Sequence, residues 1–129
     1  MKKLLIISLV CLVTGCSTVQ DKVESIFAAG YDTNEYALVN KIRTIAQTSK
    51  VCDEATVNNL YFTTKELNNF SQYLPRNKQS IELNKDLLRI VNELYDKEQP
   101  IGLVYCKAKL NILEKSAERI QQVTGSKSR

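Results

Sequence analysis

The chain has 129 residues, 43% hydrophobic and 25% charged, which suits one small domain with a single core but not two domains. Its formal net charge is +4, and the basic residues are scattered among acidic ones. The sequence has no basic run of the kind that indicates nucleic-acid binding, so we do not predict that function. It contains no histidine, no glycine-rich phosphate loop and no Gly-x-Ser-x-Gly motif, so we predict no catalytic residue and no small-molecule substrate.

The N-terminal segment has the features of an export signal. Lys2 and Lys3 precede an uncharged run over residues 4–13, which is too short to span a bilayer comfortably. The run ends in Leu12-Val13-Thr14-Gly15-Cys16-Ser17. This pattern resembles the signal peptide of bacterial lipoproteins, in which a small residue before the cysteine allows cleavage.

The resemblance implies that residues 1–15 are removed and that the Cys16 thiol receives diacylglycerol. Cys16 would then anchor the protein, and its covalent lipid is the only cofactor expected. Ser17 resembles the residue that directs lipoproteins to the outer membrane, which implies a protein held at the periplasmic face of that membrane. The alternatives are an ordinary secretory signal cleaved nearby and an uncleaved N-terminal anchor.

Two further cysteines remain once the signal and its Cys11 are removed. Cys52 and Cys106 form an even pair in an oxidising compartment, which predicts a disulfide. Closing a loop of about 55 residues would stabilise the fold by about 4 kcal/mol. Two buried free thiols are the alternative. Two thiols without histidine are too few for a closed zinc site, so no metal is expected.

The predicted organisation after cleavage is a tether followed by one helical domain. Residues 16–31 are the acylated N-terminus and a short stalk, residues 32–124 the four-helix domain, and residues 125–129 a polar tail. Lys2 and Lys3 leave with the signal, so 16 basic residues against 14 acidic ones give a balance of about +2.

Apolar residues at helical spacing predict four helices. Asp32, with Glu35 three residues later, is predicted to cap the first, and Ser80 to cap the third. Short connections predict an up-down-up-down bundle, which places Cys52 and Cys106 at the same end. The expected helices lie near residues 33–49, 53–74 and 80–97, with the fourth starting near Pro100.

Two helices carry more apolar surface than one packing interface requires. The apolar arc of the third helix approaches half its circumference, and Phe62, Phe70 and Tyr73 lie roughly opposite the leucines of the second. The simpler interpretation is that other parts of the chain cover them, or that the second helix is central. The functional interpretation is a groove for an apolar partner helix. The three aromatic residues form a competing wall. The predicted walls of the groove belong to the first and third helices: Leu38, Ile42, Ile45, Leu83, Leu87, Ile90 and Leu94.

A family resemblance rests on the cysteine pair and its surroundings. Cys52-Asp53-Glu54-Ala55-Thr56-Val57, the helix from Leu83 to Tyr95, and the following Pro100 and Cys106 are similar to PulS/OutS-type pilotins of type II secretion. The likeness covers most of residues 33–115, although the connection around Cys52 is shorter than the family pattern.

This resemblance implies a chaperone-like lipoprotein. A pilotin binds the C-terminal segment of a secretin subunit, which becomes helical on binding, and carries it to the outer membrane with the lipoprotein sorting machinery. The alternative is a structural or envelope-interaction lipoprotein of another secretion system or of a phage, with no secretin partner.

Overall fold

The computed structural model describes residues 31–127, where all regular structure is helical. Cleavage after Gly15, the lipid on Cys16, nearly all of the stalk, and residues 128 and 129 lie outside the described residues. No described helix combines the length and apolarity needed to cross a membrane. The helices are α1 (Thr33–Thr48), α2 (Glu54–Gln72), α3 (Lys78–Tyr95) and α4 (Leu103–Gly125).

Acidic residues cap the first two helices. The Asp32 carboxylate accepts hydrogen bonds from the backbone N–H groups of Asn34 and Glu35, each at 2.9 Å, which confirms the predicted cap. Asp53 accepts from the Thr56 N–H at 2.9 Å. Hydrogen bonds from the Thr56 side chain and backbone hold the pKa of Asp53 below its usual value.

The predicted starts of the third and fourth helices are wrong. Arg76 adopts a φ of 56° in the turn after α2, and α3 then begins at Lys78, so Ser80 is a buried residue inside the helix. Gly102 is still extended, so α4 begins at Leu103 and Pro100 lies in the preceding connection. The sequence pattern located each helix but not the turn residues that decide where it starts.

The four helices form a bundle, as predicted, and its arrangement is square. Within the described residues α1 packs against α2 and α4, and α3 packs against the same two helices, whereas neither diagonal pair is in contact. Every helix therefore buries a face wide enough for two neighbours. The largest apolar side chains of the core are almost inaccessible to solvent: Ile42, Leu60, Leu67, Leu87, Leu94, Leu113 and Ile120.

The two ends of the bundle are held together by different chemistry. At the end where α2 and α4 begin, the disulfide joins Cys52 to Cys106. At the opposite end, where α1 begins and α4 finishes, a buried ionic cluster joins Glu35, Asn77 and Lys127. We call these the disulfide end and the Glu35 end. The described chain starts at Tyr31, at the Glu35 end.

Candidate docking surface

The predicted groove between the first and third helices is not present. Four of its seven residues are core residues with at most 7% of their surface exposed: Ile42, Leu87, Ile90 and Leu94. The other three, Leu38, Ile45 and Leu83, are partly buried and pack against that core. Because α1 and α3 are diagonal in the bundle, the two predicted walls face each other across the filled interior.

The broad apolar arc of α3 has a structural explanation. Its residues pack against α2 on one side and α4 on the other, so one helix needs apolar residues over nearly half its circumference. The prediction treated each helix as having one packing interface. In a square bundle each helix has two, which removes the apparent surplus.

The aromatic residues of α2, by contrast, are at the surface. Phe62 is 63% exposed and Tyr73 is 88% exposed, while Phe70 between them is half-buried. They lie on the outward face because the core face of the same helix is occupied by Val57, Leu60 and Leu67. Phe62, Phe70 and Tyr73 form what we call the aromatic stripe.

The aromatic stripe borders an open, shallow trough of about 600 Å³. Its remaining lining comes from Lys65, Glu66 and Asn69 on the same helix. These six positions follow the i, i+3, i+4, i+7, i+8 and i+11 pattern of one helical face. The surface therefore offers three apolar rings, with one positive and one negative charge between them.

A group of stacked rings supports one end of the stripe. The Phe62 ring meets the Tyr61 ring edge to face, with 5.4 Å between centroids and an interplanar angle of 76°. Tyr61 in turn stacks on Tyr95 of α3 at 3.9 Å and 14°. Phe62 is thus an exposed ring that packs on a neighbour held in place by a second helix. The Phe62 side chain therefore loses less conformational entropy when a partner docks on it.

The disulfide predicted from the cysteine count is confirmed. Cys52 and Cys106 are bonded with 5.6 Å between their Cα atoms, and both residues are buried. Gln99 of the connection before α4 donates to the Cys52 carbonyl oxygen at 3.0 Å. The disulfide joins the residue before α2 to α4, and the hydrogen bond joins it to the α3–α4 connection. Together they hold the N-terminal end of α2 in position.

The buried ionic cluster at the Glu35 end was not predicted. Glu35 is 0% exposed, and its carboxylate accepts from Asn77 Nδ2 at 2.6 Å and from Lys127 Nζ at 2.8 Å. Lys127 also donates to Asn77 Oδ1. Glu35 is therefore a buried ion-pair partner as well as the third residue of α1, and Lys127 of the predicted polar tail is part of the folded domain.

Buried polar residues also line the interface between α2 and α3. Asn68 Nδ2 donates to the Asn84 carbonyl oxygen at 2.9 Å and to the Thr64 carbonyl oxygen at 3.0 Å. Asn84 Nδ2 donates to Ser71 Oγ at 2.8 Å. These directional contacts fix the register of α3 on α2 and so the orientation of the outward face that carries the stripe.

The described residues offer no other recognisable chemistry. Among residues 31–127 no group of three His, Cys, Asp or Glu side chains is placed to hold a metal ion. No protein-family model matches the chain, and no curated protein or solved structure matches it either. The functional interpretation therefore rests on the sequence and on the docking surface.

Proposed function

We propose that the chain is a lipid-anchored helix-binding adaptor of the pilotin type. It binds the C-terminal segment of a secretin subunit and directs that subunit to the outer membrane. The lipid on Cys16 holds the adaptor at the periplasmic face of the membrane, and the lipoprotein sorting machinery delivers it there with its cargo. The bundle contributes a rigid, disulfide-bonded platform for the cargo segment.

The observation that carries this proposal is the aromatic stripe. From Phe62 to Tyr73 it extends about 16 Å along α2, which equals about three turns of a partner helix. A partner with apolar residues at i, i+8 and i+11 places one side chain against each ring. Aromatic rings bury large areas at low entropic cost and are typical centres of binding energy.

The charges beside the stripe favour a partner of mixed charge. Lys65 lies 5.8 Å from the centroid of the Tyr61 ring, and Glu66 follows it on the same face. Exposed pairs of this kind contribute little affinity but set the register of the docked helix. A secretin segment with an acidic and a basic residue flanking its apolar positions is therefore the favoured cargo.

Polar substitution within the stripe is expected to weaken binding while leaving the fold intact. Phe62→Ser and Tyr73→Ser should each weaken a secretin C-terminal peptide at least about tenfold, since loss of a central ring commonly costs more than about 1.4 kcal/mol of binding energy. Both side chains are mostly exposed, so the free energy of unfolding should change by about 0.5 kcal/mol or less. The measurement is a fluorescence titration of labelled peptide, with circular dichroism as the folding check.

Two control variants separate docking from stability. Val104→Ser removes an apolar side chain that is 87% exposed on α4, away from the stripe, and should leave peptide affinity unchanged. Leu87→Ala truncates a core residue and should cost about 2–5 kcal/mol of stability while its folded fraction still binds. Wild-type affinity in both stripe variants would show that the peptide does not dock on α2.

A further inference from the structure

The outward face of α2 has the same order of side chains from either end. Phe62, Glu66, Asn69 and Tyr73 all line the trough and are separated by four, three and four residues. This spacing forms a straight line along one side of a helix, which we call the α2 seam. In both directions its order is aromatic ring, polar group, polar group, aromatic ring. Such a seam can match a second copy of itself across a two-fold axis.

The α2 seam lies where a second molecule can reach it. Within the described residues α2 packs against α1 and α3 but not against α4, so its outward side is a corner of the bundle. The core residues Leu60 and Leu67 lie on nearly the opposite side of the helix. Phe62 and Tyr73 are mostly exposed. An α2 helix of another molecule can therefore approach to the usual packing distance of about 8–10 Å.

An antiparallel pairing of two α2 helices makes every contact of the seam complementary. When Phe62 lies opposite Tyr73 of the second copy, Glu66 lies opposite Asn69 of the second copy, and the two-fold axis repeats both contacts. The Asn69 amide is a donor and the Glu66 carboxylate is an acceptor, so the polar centre of the seam can form two equivalent hydrogen bonds. A parallel pairing would place the two Glu66 carboxylates directly opposite each other, which is unfavourable.

Charge and area also fit a second copy, with modest affinity. Lys65 is next to Glu66 on the trough lining, so each copy brings one positive and one negative charge and the paired faces are neutral. Four largely exposed rings, two from each copy, would together with the polar residues bury on the order of 1,000 Å². That area is at the lower end for specific interfaces, which is typical of weak, reversible association.

We propose that the chain forms an antiparallel two-fold dimer through the α2 seam. Each Phe62 packs on Tyr73 of the second copy, and each Glu66 accepts a hydrogen bond from Asn69 of the second copy. The dimer does not depend on the proposed secretin partner. It does use the same rings, so a helix that docks on the aromatic stripe and a second copy of the chain exclude each other.

Sedimentation equilibrium tests whether the dimer exists. The sample is the chain from residue 16 onward, with Cys16→Ser to keep it free of lipid, at concentrations from about 1 μM to about 500 μM. We expect a monomer–dimer equilibrium with a Kd on the order of 10–100 μM. Phe62→Ser removes two of the four rings from the dimer and should raise the Kd at least about tenfold. Val104→Ser, on α4, should leave it unchanged.

Substitutions at Asn69 test the antiparallel register. Asn69→Asp places a second carboxylate opposite Glu66 at two symmetric positions and should raise the Kd about tenfold. Asn69→Lys places an ammonium group there and should lower the Kd several-fold, an effect that added salt removes. The matched controls are Asn111→Asp and Asn111→Lys, because Asn111 is an exposed residue of α4, diagonal to α2. Neither control should change the Kd, and circular dichroism checks that each variant is folded.

Three results would overturn the dimer as proposed. They are a chain that stays monomeric at the highest concentration, a dimer that Phe62→Ser does not weaken, and equal effects of Asn69→Asp and Asn69→Lys. A secretin peptide separates this inference from the proposed function. If the chain dimerises as expected but binds no secretin peptide, the dimer holds and the secretin partner is wrong. If the peptide binds a chain that never dimerises, the secretin partner holds and the dimer is wrong.

Discussion

Reduction of the Cys52–Cys106 disulfide is expected to lower the free energy of unfolding by about 4 kcal/mol. The two cysteines are 54 residues apart, and releasing a loop of that length restores this much chain entropy to the unfolded state. Domains of this size are commonly stable by only about 5–15 kcal/mol, so the reduced protein would be marginal. The measurement is a urea titration followed by circular dichroism, with and without reductant.

The control for this prediction is the Cys52→Ala, Cys106→Ala double variant. It should match the reduced wild-type protein in stability and should not respond to reductant. Equal midpoints for oxidised and reduced wild-type protein would contradict the prediction. Because the disulfide holds the start of α2, we also expect weaker partner binding in the double variant at temperatures where it begins to unfold.

Replacing Lys127 with methionine is expected to cost about 3 kcal/mol, although the residue lies close to the C-terminus of the chain. The substitution leaves the fully buried Glu35 carboxylate without its cation, and removing one partner of a buried ion pair is strongly destabilising. Asn77 would still donate to Glu35 but cannot neutralise it. Urea unfolding of the variant and the wild-type protein measures the difference.

A surface ion pair provides the matched control. Lys109→Met removes the cation from Glu93, whose side chain is 40% exposed and which also pairs with Arg89. The hydrogen bond from Lys109 holds the pKa of Glu93 below its usual value, but such exposed pairs contribute about 0–1 kcal/mol. Similar small losses in both variants would contradict a stabilising role for the Glu35 cluster. A much smaller effect of Lys127→Met in a Glu35→Gln background would confirm that the two residues are coupled.

Local sequence patterns were sufficient to predict the helical framework. The first helix is predicted near residues 33–49 and is Thr33–Thr48. The prediction succeeds because an acidic cap and helical apolar spacing both depend only on residues close together in the sequence. The disulfide could be predicted for a different reason, since the predicted export signal implies an oxidising compartment and its removal leaves one pair of cysteines. Helix geometry alone placed the α2 aromatic residues opposite the leucines, but it left open whether other parts of the chain cover them, and in the described residues Phe62 and Tyr73 are exposed.

Contacts between residues distant in sequence could not be predicted in this way. The local sequence predicts only a helix-capping role for Glu35. Lys127, 92 residues later, reaches the Glu35 carboxylate only in the folded bundle. The predicted groove failed for a related reason, because whether Leu87 faces solvent or core depends on how many neighbours α3 has. Hydrophobic periodicity identifies an apolar face but not the number of helices that cover it.

The most direct test of the secretin partner is site-specific photo-crosslinking in cells. A photoreactive phenylalanine analogue replaces Phe70, which lies within the aromatic stripe. In the control protein the same analogue replaces Ile112, a partly exposed residue of α4. The proposed function predicts a crosslinked product between the adaptor and a secretin subunit from position 70 and none from position 112. Position-70 products that never contain secretin, or equal secretin products from both positions, would contradict it.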